Sequence, residues 1–343
     1  MEYTEFDFGQ ADITGALPEE VAELMETVTV TELTFSAVVS EIWGLFLGEI
    51  TKPLMMLLSL VGVILLCAVA ETLRGTGGKS AGSAKTAFEM AGVLAGAGIM
   101  SAGIADAVLR TSQTLTASSA FMLVFIPILA GIMAVMGQVL SANLFNGAVI
   151  MAAQVFSQVM VMVLMPLAVS ILGVSIAGAV NPDLKTERLA GTVKTIVVWA
   201  LGLLTTVFVG LLTIQSLVSG NADSVAMRAV KFTISGGVPF VGGMFGDALG
   251  VVNGSMGVLK STTGAFGMIA IAVTCLPALL SVITYRIALN IASAVSAMFG
   301  ANRLESLLKS GESVLSITFA MLACFMLIML VSVALMIRIG SGI

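Results

Sequence analysis

The sequence predicts an all-α, polytopic membrane helical bundle, and three observations carry that expectation. Hydrophobic residues make up 58% of the chain and charged ones only 10%, with a mean hydropathy of +1.10, which leaves too little polar surface to cover a water-soluble globule. Apolar runs of about twenty residues recur along most of the length, matching what a helix needs to cross a hydrocarbon core of about 30 Å. Strand-like alternation is absent from these runs, and a crossing segment must satisfy its own backbone groups, so helices do the spanning.

The chain divides into an acidic head, residues 1–51, and a transmembrane domain, residues 52–343. The head holds eleven acids and no Lys or Arg, and all fifteen bases lie beyond it. Between Thr31 and Ile50, Phe35, Val38, Val39, Ile42 and Phe46 recur at helical spacing, a pattern for an amphipathic helix in the membrane interface or against the protein's own surface. The expected apolar segments are 54–70, 88–107, 120–140, 144–165, 167–180, 195–218, 230–252, 258–276, 278–298 and 314–337. Ten is the upper count, about 7–10 segments in all, with several short, Gly-rich or re-entrant.

Basic residues favour cytoplasmic loops. Arg74, Lys79 and Lys85 follow the first segment, Lys185, Arg188 and Lys194 lie after Pro182, and Arg303 and Lys309 precede the last segment. With an even number of spans between them, these loops share one side, and the acidic head is expected on the other, extracytoplasmic side. Lys260 and Arg286, near segment ends, are expected to reach the interface as anchors.

An internal two-fold repeat is expected over residues 85–180 and 194–298. The stretch from Phe125, "FIPILAGIMAVMG", resembles "GVPFVGGMFGDALG" from Gly237, with Pro127 matching Pro239, and the later prolines Pro166 and Pro277 fall at nearly equal distances. An odd number of crossings per half makes the repeat inverted and an even number makes it parallel.

The densest local signal is "ISGGVPFVGGMFGDALG", residues 234–250. Gly236, Gly237 and Pro239 weaken and interrupt helix, so a break is expected there and, by the repeat, at Pro127, Pro166 and Pro277. Gly242, Gly246, Gly250 and Gly254 then recur every four residues, a small-residue face for helix packing or for an oligomer contact of the glycine-zipper kind. Asp247 lies in this segment, and Lys231, Glu89 and Asp106 border or enter other apolar runs; together they are the candidates for a polar or ion path.

Catalysis is disfavoured from the outset. The chain has no histidine, which removes Ser-His and Cys-His nucleophilic pairs and the H-E-x-x-H metalloprotease helix. Cys67, Cys275 and Cys324 sit singly in apolar runs, so neither a disulfide framework nor a metal site is expected, and no cofactor is implied. "GTGGKS" at 75–80 lacks the first glycine of a phosphate-binding loop, Leu73 standing in its place. No basic patch suits nucleic acid.

Residues 227–267, "MRAVKFTISGGVPFVGGMFGDALGVVNGSMGVLKSTTGAFG", followed by "CLPALLSVITYRIALNIASAV", resemble the stage III sporulation protein AE family. The specific part is the pattern formed by Lys231, Ser235, Val238, Pro239, Val241, Gly242, Gly243 and Asp247. The family usually begins with a cleavable signal peptide, which this chain lacks, and that departure suggests a trimmed sequence. The resemblance implies a non-enzymatic subunit of the mother-cell membrane around the forespore. Its implied partners are the other stage III sporulation A proteins and, through them, stage II sporulation protein Q, in a channel or secretion-like complex where it has a permease-like or export-platform role. It assigns no catalytic residues. Two further readings stand beside it: a stand-alone secondary transporter in which Asp247 or Glu89 couples solute to an ion, and a structural anchor for complex assembly.

Overall fold

The structure is a computed structural model that describes residues 44, 47–74, 81–180, 186–237 and 242–339. Its elements are α1 (Thr51–Arg74), α2 (Ala81–Val135), α3 (Val139–Val159), a π-helical turn (Met160–Leu164), α4 (Met165–Val180), α5 (Thr186–Gly237), α6 (Gly242–Met298) and α7 (Asn302–Arg338). No strand occurs among the described residues. Among the described residues, six helical runs are long and apolar enough to cross a membrane: Leu47–Val69, Met90–Val135, Val139–Val180, Gly191–Ala226, Gly254–Met298 and Asn302–Arg338. Neighbouring segments of the sequence reading are thus joined into longer helices.

The joints are where the sequence reading needs correction. Pro127 lies inside α2 and Pro277 inside α6, with helix on both sides. Each proline removes one N–H from the ladder, yet nothing in an apolar environment competes for the backbone, and neighbouring helices hold the flanks. Phe125, Ile126, Leu129 and Ala130 are buried around Pro127, as are Cys275, Ala278 and Val282 around Pro277. At Pro166 the expected break is a widened turn: the Met165 N–H reaches the Met160 carbonyl, and the helix continues into α4. α5 ends at Gly237 and α6 begins at Gly242; residues 238–241, Pro239 among them, lie outside the described residues.

Two of the connections are tight. Gly137 and Gly300 adopt positive φ, 80° and 73°, a conformation that glycine alone enters without strain. In both turns the next residue's N–H reaches back five residues, Gln138 to Met133 and Ala301 to Ser296, which closes the helix end with its carbonyls satisfied. The ranges 85–180 and 194–298 each contain one antiparallel pair of long helical runs.

The helices alternate in direction, and the contacts set their register. Gly92 of α2 lies against Cys67 of α1 and Gly103 against Met56, so α1 runs antiparallel beside the first half of α2. Gly264 of α6 meets Ile337 of α7, and Gly311 of α7 meets Leu289, again antiparallel. Gly267 of α6 lies under the Phe125 ring of α2, and that ring stacks on Phe121 with centroids 5.3 Å apart. Each of these glycines lets a neighbouring side chain approach the helix backbone, which is how this bundle reaches close packing without strong amphipathicity. The core they enclose includes Leu60, Met100, Ile104, Phe145, Leu289 and Phe325.

Registered in this way, the long helices share a zone free of Asp, Glu, Lys and Arg. It comprises residues 111–135 of α2, 139–180 of α3 to α4, 195–222 of α5, 261–285 of α6 and 313–337 of α7. Three of these runs, 111–135, 261–285 and 313–337, have 25 residues each and are roughly 37 Å long, close to the thickness of a bilayer core with its interfaces, and the other two are longer. Polar residues inside the zone mostly bond to their own helices: the hydroxyls of Thr111, Ser219, Thr274, Thr318 and Ser332 donate to carbonyls four residues back.

Candidate functional site

Charged residues mark both ends of this zone, and at both ends they come from several helices. At the end nearer the three basic loops, Asp106 and Arg110 stand one turn apart on α2, placing both side chains on one face. Arg110 Nη1 donates to both carboxylate oxygens of Glu49, at 2.8 Å each, and its Nε lies 3.3 Å from Asp106 Oδ2. Lys52 Nζ sits 3.4 Å from Asp106 Oδ1, and the Tyr285 hydroxyl of α6 donates to Asp106 Oδ2 at 3.2 Å.

Asp106 therefore receives three donors from three separate parts of the chain. Gly103, one turn earlier, leaves space for Met56 and for the Tyr285 ring, whose hydroxyl can then reach the carboxylate. Tyr285 as a residue is only 3% exposed, so its hydroxyl needs the partner that Asp106 supplies. Next to it on α6, Arg286 pairs with Glu312 of α7 at 3.3 Å, and Asn290 extends the same contact. This polar belt ties α1, α2, α6 and α7 together where the uncharged zone ends.

At the other end lie two buried charges from different helices, Asp223 and Lys260. Asp223 of α5, 6% exposed, accepts the backbone N–H groups of Leu140 at 3.1 Å and Ser141 at 2.9 Å. Those are orphan donors in the first turn of α3, where Gln138 at the N-cap provides no side-chain bond. Lys260 of α6, 2% exposed, donates to Gln138 Oε1 at 3.0 Å and to the Ile339 carbonyl beyond the end of α7. An acid at a helix N-terminus and a base at a helix C-terminus each meet the partial charge of opposite sign. Lys260 is held within the bundle at the end of the uncharged zone, because a helix end and an amide stand within its reach.

Among the sequence candidates for a polar path, only Asp106 has described surroundings. Glu89, Lys231 and Asp247 fall on helices whose side chains there lie outside the described residues. The same holds for Gly242, Gly246 and Gly250; Gly254 is described and exposed, with no atom within 4 Å of where a Cβ would stand. Glu89 and Asp106 lie on the same helix, 17 positions apart, or roughly 25 Å along its axis. The sequence reading missed Arg110, Tyr285, Gln138 and Asp223, and placed Glu49 only in the head helix. One signal was available: Asp223, Lys260, Arg110 and Arg286 are among the charges that terminate the uncharged runs.

Among the described residues, no group of three His, Cys, Asp or Glu side chains could hold a metal ion. The three cysteines are free, and the buried Cys275 thiol lies 3.6 Å from the Ser118 hydroxyl.

Among the described residues, six apolar helical runs, five of which share an uncharged zone with charges gathered at its ends, define a polytopic α-helical membrane protein. The sequence profile of stage III sporulation protein AE (spore_III_AE) matches residues 20–340. The chain belongs to that family. It is 26% identical over 230 residues to stage III sporulation protein AE of Bacillus subtilis (strain 168), an alignment covering 67% of this chain and 57% of that protein. The chain thus matches somewhat more than half the length of its curated relative. No solved structure matches it.

Proposed function

We propose that this chain is a non-enzymatic membrane subunit of a mother-cell-to-forespore channel or secretion-like complex, with a permease-like or export-platform role. Its neighbours are further copies of itself, other stage III sporulation A proteins and, through them, stage II sporulation protein Q, in the mother-cell membrane around the forespore.

The observation that carries this reading is the outer face of α1. The register with α2 sets α1 beside residues 81–107, beyond the uncharged zone. Yet α1 turns Leu54, Met55, Leu58, Leu65, Leu66 and Val69 outward, with exposures from 43% to 72%. A contiguous apolar face of this kind marks a contact with another protein or with lipid. Because the face lies beyond the uncharged zone that the other long helices share, we read it as the contact for a neighbouring subunit. Asp106 also favours assembly over ion coupling, since Lys52, Arg110 and Tyr285 already occupy its oxygens.

The test is particle mass and co-purification of the full chain from sporulating cells. Leu58→Glu with Leu66→Glu should reduce the particle to a smaller species and strip its partners. An unchanged mass with unchanged partners would sink the assembly reading, and solute exchange by the isolated chain in vesicles would support the transporter instead.

A further inference from the structure

A groove of about 480 Å³ lies between α4, α5 and the start of α7, within the size range of small-ligand sites. It is not part of the polar belt or of either buried charge site. Lys194 and Lys309 line it, together with Glu305, Ser306, Ser310 and Ser313, and Ile171 and Gly191 form its apolar side.

Its charge balance selects an anion. Glu305 pairs with Lys309 one turn along α7, while no carboxylate pairs with Lys194 among the described residues. Two lysines against one glutamate leave the groove one net positive charge, 2 − 1 = +1. The Ser310 hydroxyl donates to the Ser306 carbonyl, leaving its oxygen as an acceptor, whereas Ser306 and Ser313 offer hydroxyl donors.

Its depth selects the source of the anion. Ser313 is the first residue of the uncharged zone on α7 and Thr195, directly after Lys194, is the first on α5. From Ser313 the groove follows α7 back to Asn302, a distance of roughly 16 Å away from the zone. That is the depth of lipid headgroups at the edge of a bilayer, on the side of the three basic loops, where anionic lipids meet basic pockets between helices. Ile171, facing the groove from α4, gives an acyl chain an apolar wall to follow.

We propose that this groove binds the phosphodiester headgroup of an anionic membrane lipid, with Lys194 and Lys309 on the phosphate and the Ser306 and Ser313 hydroxyls donating to its oxygens. Gly191 makes the binding site open: no atom lies within 4 Å of its absent side chain.

The experiment uses the full chain in phosphatidylcholine nanodiscs doped with phosphatidylglycerol, with retained lipid quantified by mass spectrometry. Phosphatidylglycerol should be enriched around the protein over its bulk fraction. Lys194→Gln and Lys309→Gln should each lower that enrichment by about fivefold, the value of one surface lysine near an anionic bilayer. Lys194→Arg should retain it. Gly191→Leu should lower it with every charge in place, which covers the case in which a lysine variant fails to fold. Absence of enrichment, or enrichment indifferent to Lys194→Gln, Lys309→Gln and Gly191→Leu, would overturn the proposal. Displacement of the lipid by inorganic phosphate or glycerol phosphate would overturn it too, identifying a soluble anion as the ligand.

Discussion

Asp223 caps a helix to which it does not belong: its carboxylate, on α5 where the uncharged run stops, accepts the N–H groups of Leu140 and Ser141 at the start of α3. Removing an N-cap oxygen costs about 1–2 kcal/mol in soluble proteins, and Ser141 donates from a buried position. Asp223→Ala is therefore expected to lower the thermal midpoint of the detergent-solubilised protein measurably, while Asp223→Asn, which keeps one acceptor, should recover part of the loss. Equal midpoints for the wild type and Asp223→Ala would show that the cap is dispensable.

Lys260 and Gln138 form a buried pair that should couple energetically. Gln138→Leu leaves the ammonium with only the Ile339 carbonyl, at a cost of about 1–3 kcal/mol for the lost charged hydrogen bond. In a Lys260→Met background the same change should cost far less, since the charge that needed the amide is gone. A double-mutant cycle by denaturant unfolding reads the coupling, and strict additivity would contradict the pairing.

Glycines on α6 should respond in opposite ways. A Cβ on Gly267 would collide with the buried Phe125 ring, so Gly267→Ala should destabilise the fold by about 1–3 kcal/mol, the usual range for overpacking. Gly254 has open space around it, and Gly254→Ala should be neutral or stabilising by up to about 1 kcal/mol through helix propensity. If Gly254→Leu lowers particle mass without lowering monomer stability, the four-residue glycine series is an intermolecular face.

Arg110 holds Glu49 and Asp106, which would otherwise be neighbouring like charges. Arg110→Met should loosen α1 from α2 by about 1 kcal/mol, a modest value because the arginine side chain is 33% exposed. A Met56→Cys with Gly103→Cys cross-link should form more slowly in that background. An unchanged rate would mean that apolar contacts alone hold α1 in place.

The assigned depth of the uncharged zone is open to direct measurement. A fluorophore at Leu327, 59% exposed on α7, should be quenched by brominated acyl chains, and one at Lys309 by aqueous iodide. The reverse pattern would move the bilayer along the bundle and take the headgroup groove with it.

Composition by itself determined that this is a helical membrane protein, because a chain with so few charges cannot solvate a globule and helices alone close their own backbone bonds. The "SGGVPFVGG" region and its surroundings were likewise sufficient to recognise the family. Helix continuity was not legible. Pro127, Pro166 and Pro277 read as breaks by local propensity, and only packing against neighbouring helices keeps their runs intact. Nor could the sequence tell which charges meet: Asp106 with Tyr285 and Lys260 with Gln138 are separated by more than a hundred positions. Burying a charge in an apolar bundle requires a partner at a particular depth and angle, and the register of the helices, a property of the tertiary structure, decides which residue stands there.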